Sequence, residues 1–386
     1  MTQGWLLPGV PSPPDWRVHW DALLERYPVL TPMAYCTQDP RWHAEGDVLV
    51  HTRMVAEALA RHDSWRALAP TPRSVVFAAA LLHDIAKPGT TRPDEQGRLI
   101  APGHSTRGAQ RSRRVLYRAR EMALPPPPLA IREQIVSLVR HHGLPLWWVD
   151  RDRPEHAAVR ATMRVPGDWI ALLSEADVRG RDSNDHADLY DRIEGFRDLC
   201  REGGCYDTPR SFATSITRQA YLTGRWPSPD TPAFDAGEVD VIVLSGLPGA
   251  GKDTWLQNRV STLPVVSLDA ERERLGVAPT DNQGAVIQAA REAARCHLRA
   301  REPFAWNGTN LTRSVRNSVL RLLHDYRARV RIVYLEAPYL EVLRRNQVRS
   351  DGVPVSVVER LIDRLQLPDY DEAAEVQWLE SGVPAQ

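Results

Sequence analysis

The sequence predicts a multidomain protein, an all-α domain followed by a smaller α/β domain with a parallel sheet. Three observations carry that expectation. Residues from about 15 to 225 hold long apolar segments of 3.6-residue period, with few β-branched runs. A stretch rich in Pro, Gly and Asp then follows, "TGRWPSPDTPAFDAGEVD", from Thr223 to Asp240. Beyond it, the apolar runs "VDVIVLSG", "PVVSLD", "PFAWNGT" and "VRIVYLEA" alternate with helical stretches at 283–300 and 312–325. That rhythm belongs to parallel strands joined by crossover helices. The expected limits are 1–225 for the helical domain, 226–239 for a linker and 240–386 for the α/β domain.

Composition narrows the function classes. A chain of 386 residues with 42% hydrophobic content can fill two cores. Cys36, Cys200, Cys205 and Cys296 form neither a metal-type C-x-x-C pair nor a disulfide framework, so a reducing compartment is expected. No basic region followed by an apolar one opens the chain, and no apolar run reaches membrane-spanning length. The expectation is a cytoplasmic protein without a membrane partner. Net charge is zero, so no global field favours nucleic acid. Of the 49 Lys and Arg residues only Lys87 and Lys252 are lysines. GC-rich codon usage accounts for most of that shift. Yet both survivors stand in candidate sites, and a compact ammonium suits a tight phosphate nest better than a planar guanidinium.

In the second half, "VIVLSGLPGAGKDTW" runs from strand to helix through a glycine-rich loop. Gly246, Gly251 and Lys252 satisfy the G-x-x-x-x-G-K pattern, with Gly249 a further candidate nucleotide contact within it; the backbone N–H groups of such a loop close around phosphate oxygens. The next residue is normally Ser or Thr, which holds Mg²⁺; here it is Asp253, followed by Thr254. A carboxylate is a good Mg²⁺ ligand, so Asp253 is favoured for the metal, directly or through water, with Thr254 as the alternative. Asp269 closes the second strand, where a carboxylate can take the proton of an attacking hydroxyl, and Arg272 stands three residues on. Asp269 can also simply cap the helix expected to start at Ala270. Arg345 and Arg349 lie at i,i+4 on one helix face, as a lid over phosphates or as a solvated face.

With "WNGTNLTRSVR" (Trp306 to Arg316), these residues resemble the phosphate-loop polynucleotide 5′-kinases. The resemblance implies ATP or another NTP as donor with Mg²⁺. It makes Asp269 the general base and Arg272 the contact to a substrate phosphate, and it puts Lys252, Arg345 and Arg349 on the transferred phosphate. Asp253 departs from the family pattern.

In the first half, His51, the pair His83-Asp84, His104, the pair His141-His142 and Asp177 stand beside small or apolar helix positions. Imidazole and carboxylate suit divalent transition metals, and one carboxylate can bridge two ions that clamp a phosphoryl centre. This set resembles the HD phosphohydrolase superfamily over roughly residues 40–185. The likeness implies a first metal site at His51, His83, Asp84 and Asp177. It implies a second at His104 and one of the paired histidines, with Asp84 bridging and Lys87 near the substrate phosphate. His142 is preferred because it continues the stripe Ile131, Ile135, Leu138 at helical spacing. His43 and Glu45 take no role beyond supporting the ligands. Arg107, Arg111, Arg114 and Arg118 recur on one helix face, either tracking a phosphate backbone or lying as solvated surface.

The two halves together resemble the bacterial HD-Pnk end-healing enzymes. That likeness implies RNA, or alternatively DNA, ends as substrate. A 5′-hydroxyl would be phosphorylated, and a 2′,3′-cyclic phosphate or a 2′- or 3′-phosphate would be hydrolysed with Mn²⁺, Ni²⁺ or Co²⁺. Both lysines are already placed, so none remains as a ligase nucleophile, and a separate ligase is the expected partner. Two alternatives stay open: a small-molecule kinase joined to an HD nucleotidase, and a kinase gated by a regulatory nucleotide-binding HD module.

Overall fold

The computed structural model describes residues 4–119, 126–183, 185–278, 281–349 and 352–381. They form two compact units, Met1–Ser211 and Phe212–Gln386. Among the described residues no helix is long and apolar enough to cross a membrane.

The first unit is helical, built on α1 (Val48–Arg61), α2 (Pro70–Leu82), α3 (His104–Arg118), α4 (Leu129–His141), α5 (Gly167–Arg179) and α6 (His186–Glu202). Asp47 starts α1 by accepting from Leu49 and Val50 N–H at 2.8 and 2.9 Å, satisfying donors that the first turn leaves open. Proline at the first position starts α2. Helices α1, α2, α4 and α5 pack on one another. Every residue from Ser74 to Leu82 is buried, as is every residue from Ile170 to Val178. A helix apolar all round belongs at the centre of its unit. The ends of α2 and α5 therefore carry His83, Asp84 and Asp177 into the interior rather than to the surface. A short antiparallel ladder, Arg92–Pro93 with Leu99–Ile100, precedes α3 and leads to His104 at its first position.

In the second unit, among the described residues, five strands form one sheet: β1 (Val239–Ser245), β2 (Val265–Ser267), β3 (Phe304–Asn307), β4 (Ala328–Glu336) and β5 (Glu375–Glu380). The order is β2-β3-β1-β4-β5, with every pair parallel. Val241, Val243, Phe304, Trp306, Leu323 and Ile332 fill the core. The helices that matter for the site are α7 (Lys252–Arg259), α8 (Leu268–Leu275), α9 (Gly284–Ala300), α10 (Arg313–Asp325) and α11 (Tyr339–Val348). As expected from the alternating pattern, the glycine-rich loop leaves the carboxyl end of the central strand, where parallel sheets bind ligands.

Two features differ from expectation. Strand β5 arises from "EVQWLE", whose outward positions are charged: Glu375 pairs with Arg331 at 2.6 Å. The unit boundary also falls before Phe212, ahead of the expected 225. Helix Ser215–Leu222 joins the second unit because Arg218 donates to the Ala374 carbonyl at 3.2 Å and lies over the Tyr370 ring at 4.3 Å. Local period reads that segment as helix, but its partners lie far along the chain. Arg316, from the "WNGTNLTRSVR" stretch, is fully buried and forks onto Glu372 at 2.7 and 2.8 Å. Removing one partner of such a pair costs about 3–5 kcal/mol, so its place is structural.

Candidate metal centre and phosphate-loop site

Four helix ends, those of α2, α3, α4 and α5, and one face of α1 converge in the first unit. His51, His83, Asp84, His142 and Asp177 are all buried, and His104 is partly so. His83, His104 and His142 repeat one local device. Each Nδ1 lies 2.8, 2.8 or 2.9 Å from the carbonyl three residues back: Ala80, Ala101 and Val139. A carbonyl only accepts, so the ring proton sits on Nδ1 and the Nε2 lone pair faces inward. His51 Nδ1 is likewise engaged by Glu45 Oε1 at 2.9 Å and the Gly180 carbonyl at 3.2 Å.

These nitrogens and carboxylates fall into two trios, His51/His83/Asp177 and Asp84/His104/His142, with ligand atoms in each within 4.8 Å of one another. Asp84 joins them. Its Oδ2 lies 3.2 Å from His83 Nε2 and 3.8 Å from His51 Nε2, while Oδ1 lies 3.5 Å from His104 Nε2.

Two observations test whether a metal fits. His51 Nε2 and His83 Nε2 stand 3.3 Å apart although the other nitrogen of each ring faces an acceptor; two lone pairs so placed repel unless a proton or a metal ion lies between them. Asp84 Oδ1 is buried without a hydrogen-bond partner. The donor set, imidazole and carboxylate, is that of a divalent transition metal. A divalent ion held there polarises a phosphoryl oxygen and activates water.

The charge balance favours ligation. Burial disfavours the Asp84 carboxylate, but Lys87, His83 and His104 outweigh it and hold the group well below the usual range. Lys87 Nζ is 2.7 Å from Asp84 Oδ2 and donates to Gln38 Oε1 at 2.6 Å. Asp177 is treated the same way, burial being outweighed by Arg181 at 2.6 Å and by His51. Burial, with His83 and His104 beside it, pushes His142 down to about 3, so that ring stays neutral and ready to ligate. Burial opposes charging of His51, but Asp177 and Glu45 prevail and raise it, which makes it a more basic donor.

Sequence reasoning left Glu45 without a defined task and missed Arg181, Gln38 and Asn307. Glu45 receives His43 Nδ1 at 2.8 Å, His51 Nδ1 at 2.9 Å and the Asp182 N–H at 3.0 Å. It sets the His51 ring from behind. A Glu45→Ala variant is expected to weaken metal binding by about 10- to 100-fold, the usual cost of losing such support, as measured by metal titration of the apoprotein. A signal for Arg181 was present, since Asp177 and Arg181 are one helical turn apart in "ADVRGR".

The arginine series on α3 is not a uniform solvent-facing stripe. Arg107 is exposed, but Arg111, Arg114 and Arg118 are half-buried, and Arg111 donates to the Ile85 carbonyl at 3.0 Å.

In the second unit Gly246 has φ +152°, and an added Cβ would stand 2.4 Å from the Leu335 carbonyl, so the tight turn admits only glycine. Gly251, at φ +93°, opens α7. Lys252 Nζ donates to the Gly246 and Leu247 carbonyls, both at 3.0 Å, folded over its own loop. Burial lowers its pKa to about 8 against the pull of Asp253 and Asp269, and Arg349 adds to the lowering. An anion needs the charged form, so nucleotide affinity is expected to fall about tenfold between pH 7 and pH 9 as the empty-site ammonium is lost. Titrating a nucleotide across that range checks it, with Lys252→Arg abolishing the dependence.

Asp253 accepts from Asn307 Nδ2 at 2.6 Å, so the end of β3 orients the unusual carboxylate. It lines a cavity of about 590 Å³ with Gly249, Thr254, Arg345 and Arg349. Arg345 is pinned by Glu341 at 2.7 Å and donates to the Gly249 carbonyl at 3.1 Å. Asp269 is exposed and its carboxylate is engaged by Arg272, which also donates to Gln283 at 2.8 Å. It does not cap α8; Ser267 does, accepting from the Ala270 N–H at 3.3 Å.

Comparison with known proteins agrees with both halves. The HD domain family matches residues 48–162 and the AAA domain family matches residues 241–368. Three solved structures resemble part of the chain. The Pnkp1/Rnl/Hen1 RNA repair complex is 17% identical over 36% of this chain and 47% of its own, with a TM-score of 0.31. A sugar kinase from Janibacter sp. is 20% identical over 38% and 87%, with a TM-score of 0.30. A gluconokinase from Sinorhizobium meliloti is 20% identical over 39% and 86%, with a TM-score of 0.29. The chain thus carries a helical HD domain followed by an α/β domain with a parallel sheet and the P-loop kinase fold.

Proposed function

We propose that the chain heals RNA ends. Its HD domain hydrolyses a terminal 2′,3′-cyclic phosphate or a 2′- or 3′-phosphate, and its kinase domain phosphorylates a 5′-hydroxyl from an NTP. The observation that carries the hydrolase half is the Asp84 carboxylate standing between two ligand trios, an arrangement suited to two ions around one phosphoryl group. His51, His83, Asp84 and Asp177 would hold one ion, and Asp84, His104 and His142 the other. Lys87, poised beside Asp84, would meet the substrate phosphate.

On the kinase side Lys252, Arg345 and Arg349 would grip the transferred phosphate, and Asp253 would hold Mg²⁺. Asp269 would take the proton of the attacking hydroxyl once Arg272 turns to a substrate phosphate. The two activities convert the ends left by metal-independent RNA cleavage into ends that a separate ligase can seal.

The test is an RNA oligonucleotide with a 5′-hydroxyl and a 2′,3′-cyclic phosphate, incubated with Mg²⁺, Mn²⁺ and ATP. Both ends are expected to change. Untouched RNA ends alongside phosphorylation of a free nucleoside or sugar would replace this reading with a small-molecule kinase.

A further inference from the structure

The cavity around the candidate metal ligands, about 890 Å³, is larger than a single terminal phosphate needs. Besides Asp84, Asp177 and Lys87 it is lined by Arg140, Arg151 and Arg160, and by Trp147. Arg140 occupies the last turn of α4, the same helix end that delivers His142, and Arg160 the last turn of helix Pro154–Ala161.

These guanidinium groups share the lining of one cavity. Carboxylates in the same lining are engaged elsewhere: Asp84 with Lys87, Asp177 with Arg181, Asp39 with Arg41 and Asp185 with Ser183. Asp188 is the remaining acid in the lining. Like charges gathered on a cavity wall repel until an anion arrives, and a planar guanidinium suits a phosphodiester. Trp147 is 51% exposed in the same wall, with Arg192 over its ring at 5.4 Å. An exposed indole beside a basic groove is the platform on which single-stranded bases stack.

We propose that Arg140, Arg151 and Trp147 form a second subsite that holds the phosphodiester and base one nucleotide inside the strand end. The HD domain is thereby selective for polynucleotide ends over mononucleotides. The proposal rests on the reading of this domain as an end-directed phosphoesterase and adds to it the recognition of a strand.

The experiment compares kcat/KM for a dinucleotide ending in a 2′,3′-cyclic phosphate with that for the corresponding cyclic mononucleotide, using the full chain loaded with Mn²⁺. The two substrates differ by one phosphodiester and one nucleoside. Wild type is expected to favour the dinucleotide about tenfold or more, mainly through KM, with salt eroding the preference. The Arg140→Ala/Arg151→Ala variant is expected to bring the ratio to within about twofold of one. The single Arg140→Gln variant, milder for folding, is expected to fall between. A wild-type ratio near one, or a ratio that both variants leave intact, overturns the subsite while leaving the phosphoesterase reading in place. Hydrolysis of neither substrate by wild type overturns both.

Discussion

An Asp84→Ala variant is expected to lose hydrolysis of the RNA 3′ end by about a thousandfold or more while 5′ phosphorylation by the same preparation stays within about twofold of wild type. The magnitude follows from position. Asp84 offers one oxygen to His83 and His51 and the other to His104, so its removal strips a ligand from both candidate ion sites. Metal stabilisation of transition-state charge amounts to several kcal/mol, and each 1.4 kcal/mol is about tenfold in rate. Alanine also takes the carboxylate away from the half-buried Lys87, which keeps the Gln38 Oε1 acceptor. Asp84→Asn is the companion variant: it keeps the shape and removes the charge. The kinase reaction reports on the second compact unit, so a protein lost to general unfolding is recognised at once. Metal content and both end reactions are the measurements. Hydrolysis within tenfold of wild type in both variants would sink the two-ion reading.

How much of this could be read in the chain depended on whether a residue acts alone or through another. The apolar run ending in His83 and Asp84 announced a buried helix, because nothing else explains so many consecutive apolar residues before a charged pair. The preference for His142 over its neighbour followed from the stripe on α4, and the structure brings His142 to Asp84 and His104. Glu45 was harder to see because it works by orienting a ligand, a role that leaves no periodicity, whereas Arg181 left only its i,i+4 spacing from Asp177. Ser267 rather than Asp269 caps α8 because the helix begins two residues earlier than the sequence suggested. Strand β5 was missed for a different reason: it is an edge strand, and its exposed charges hide the apolar alternation that pattern reading relies on. Segment membership was least legible of all. The helix at Ser215–Leu222 has the period of the first half and the partners of the second.

Asp269→Asn is expected to slow 5′ phosphorylation by about 100- to 10,000-fold, the range for loss of a general base, while nucleotide affinity changes little. The side chain lies outside the group of residues lining the phosphate-loop cavity, so it contributes little to holding the donor. Its negative charge nevertheless acts on Lys252, which places it in the same electrostatic neighbourhood as the phosphates. In the structure its partner is Arg272, a pairing that must open for the carboxylate to receive a hydroxyl proton. An incoming 5′-hydroxyl strand supplies the means, because a strand phosphate competes for the same guanidinium. Arg272→Ala is therefore expected to differ in kind. It frees Asp269 but removes the contact that seats the strand, so KM for the oligonucleotide rises more than kcat falls, and a free nucleoside is affected less. Steady-state kinetics on oligonucleotide and nucleoside, with nucleotide binding measured separately, distinguish the two variants. If Asp269→Asn loses nucleotide affinity as steeply as turnover, the residue serves the donor site and the base must be sought elsewhere. Asp253 then becomes the carboxylate to examine, since Asn307 already holds it at the mouth of the loop.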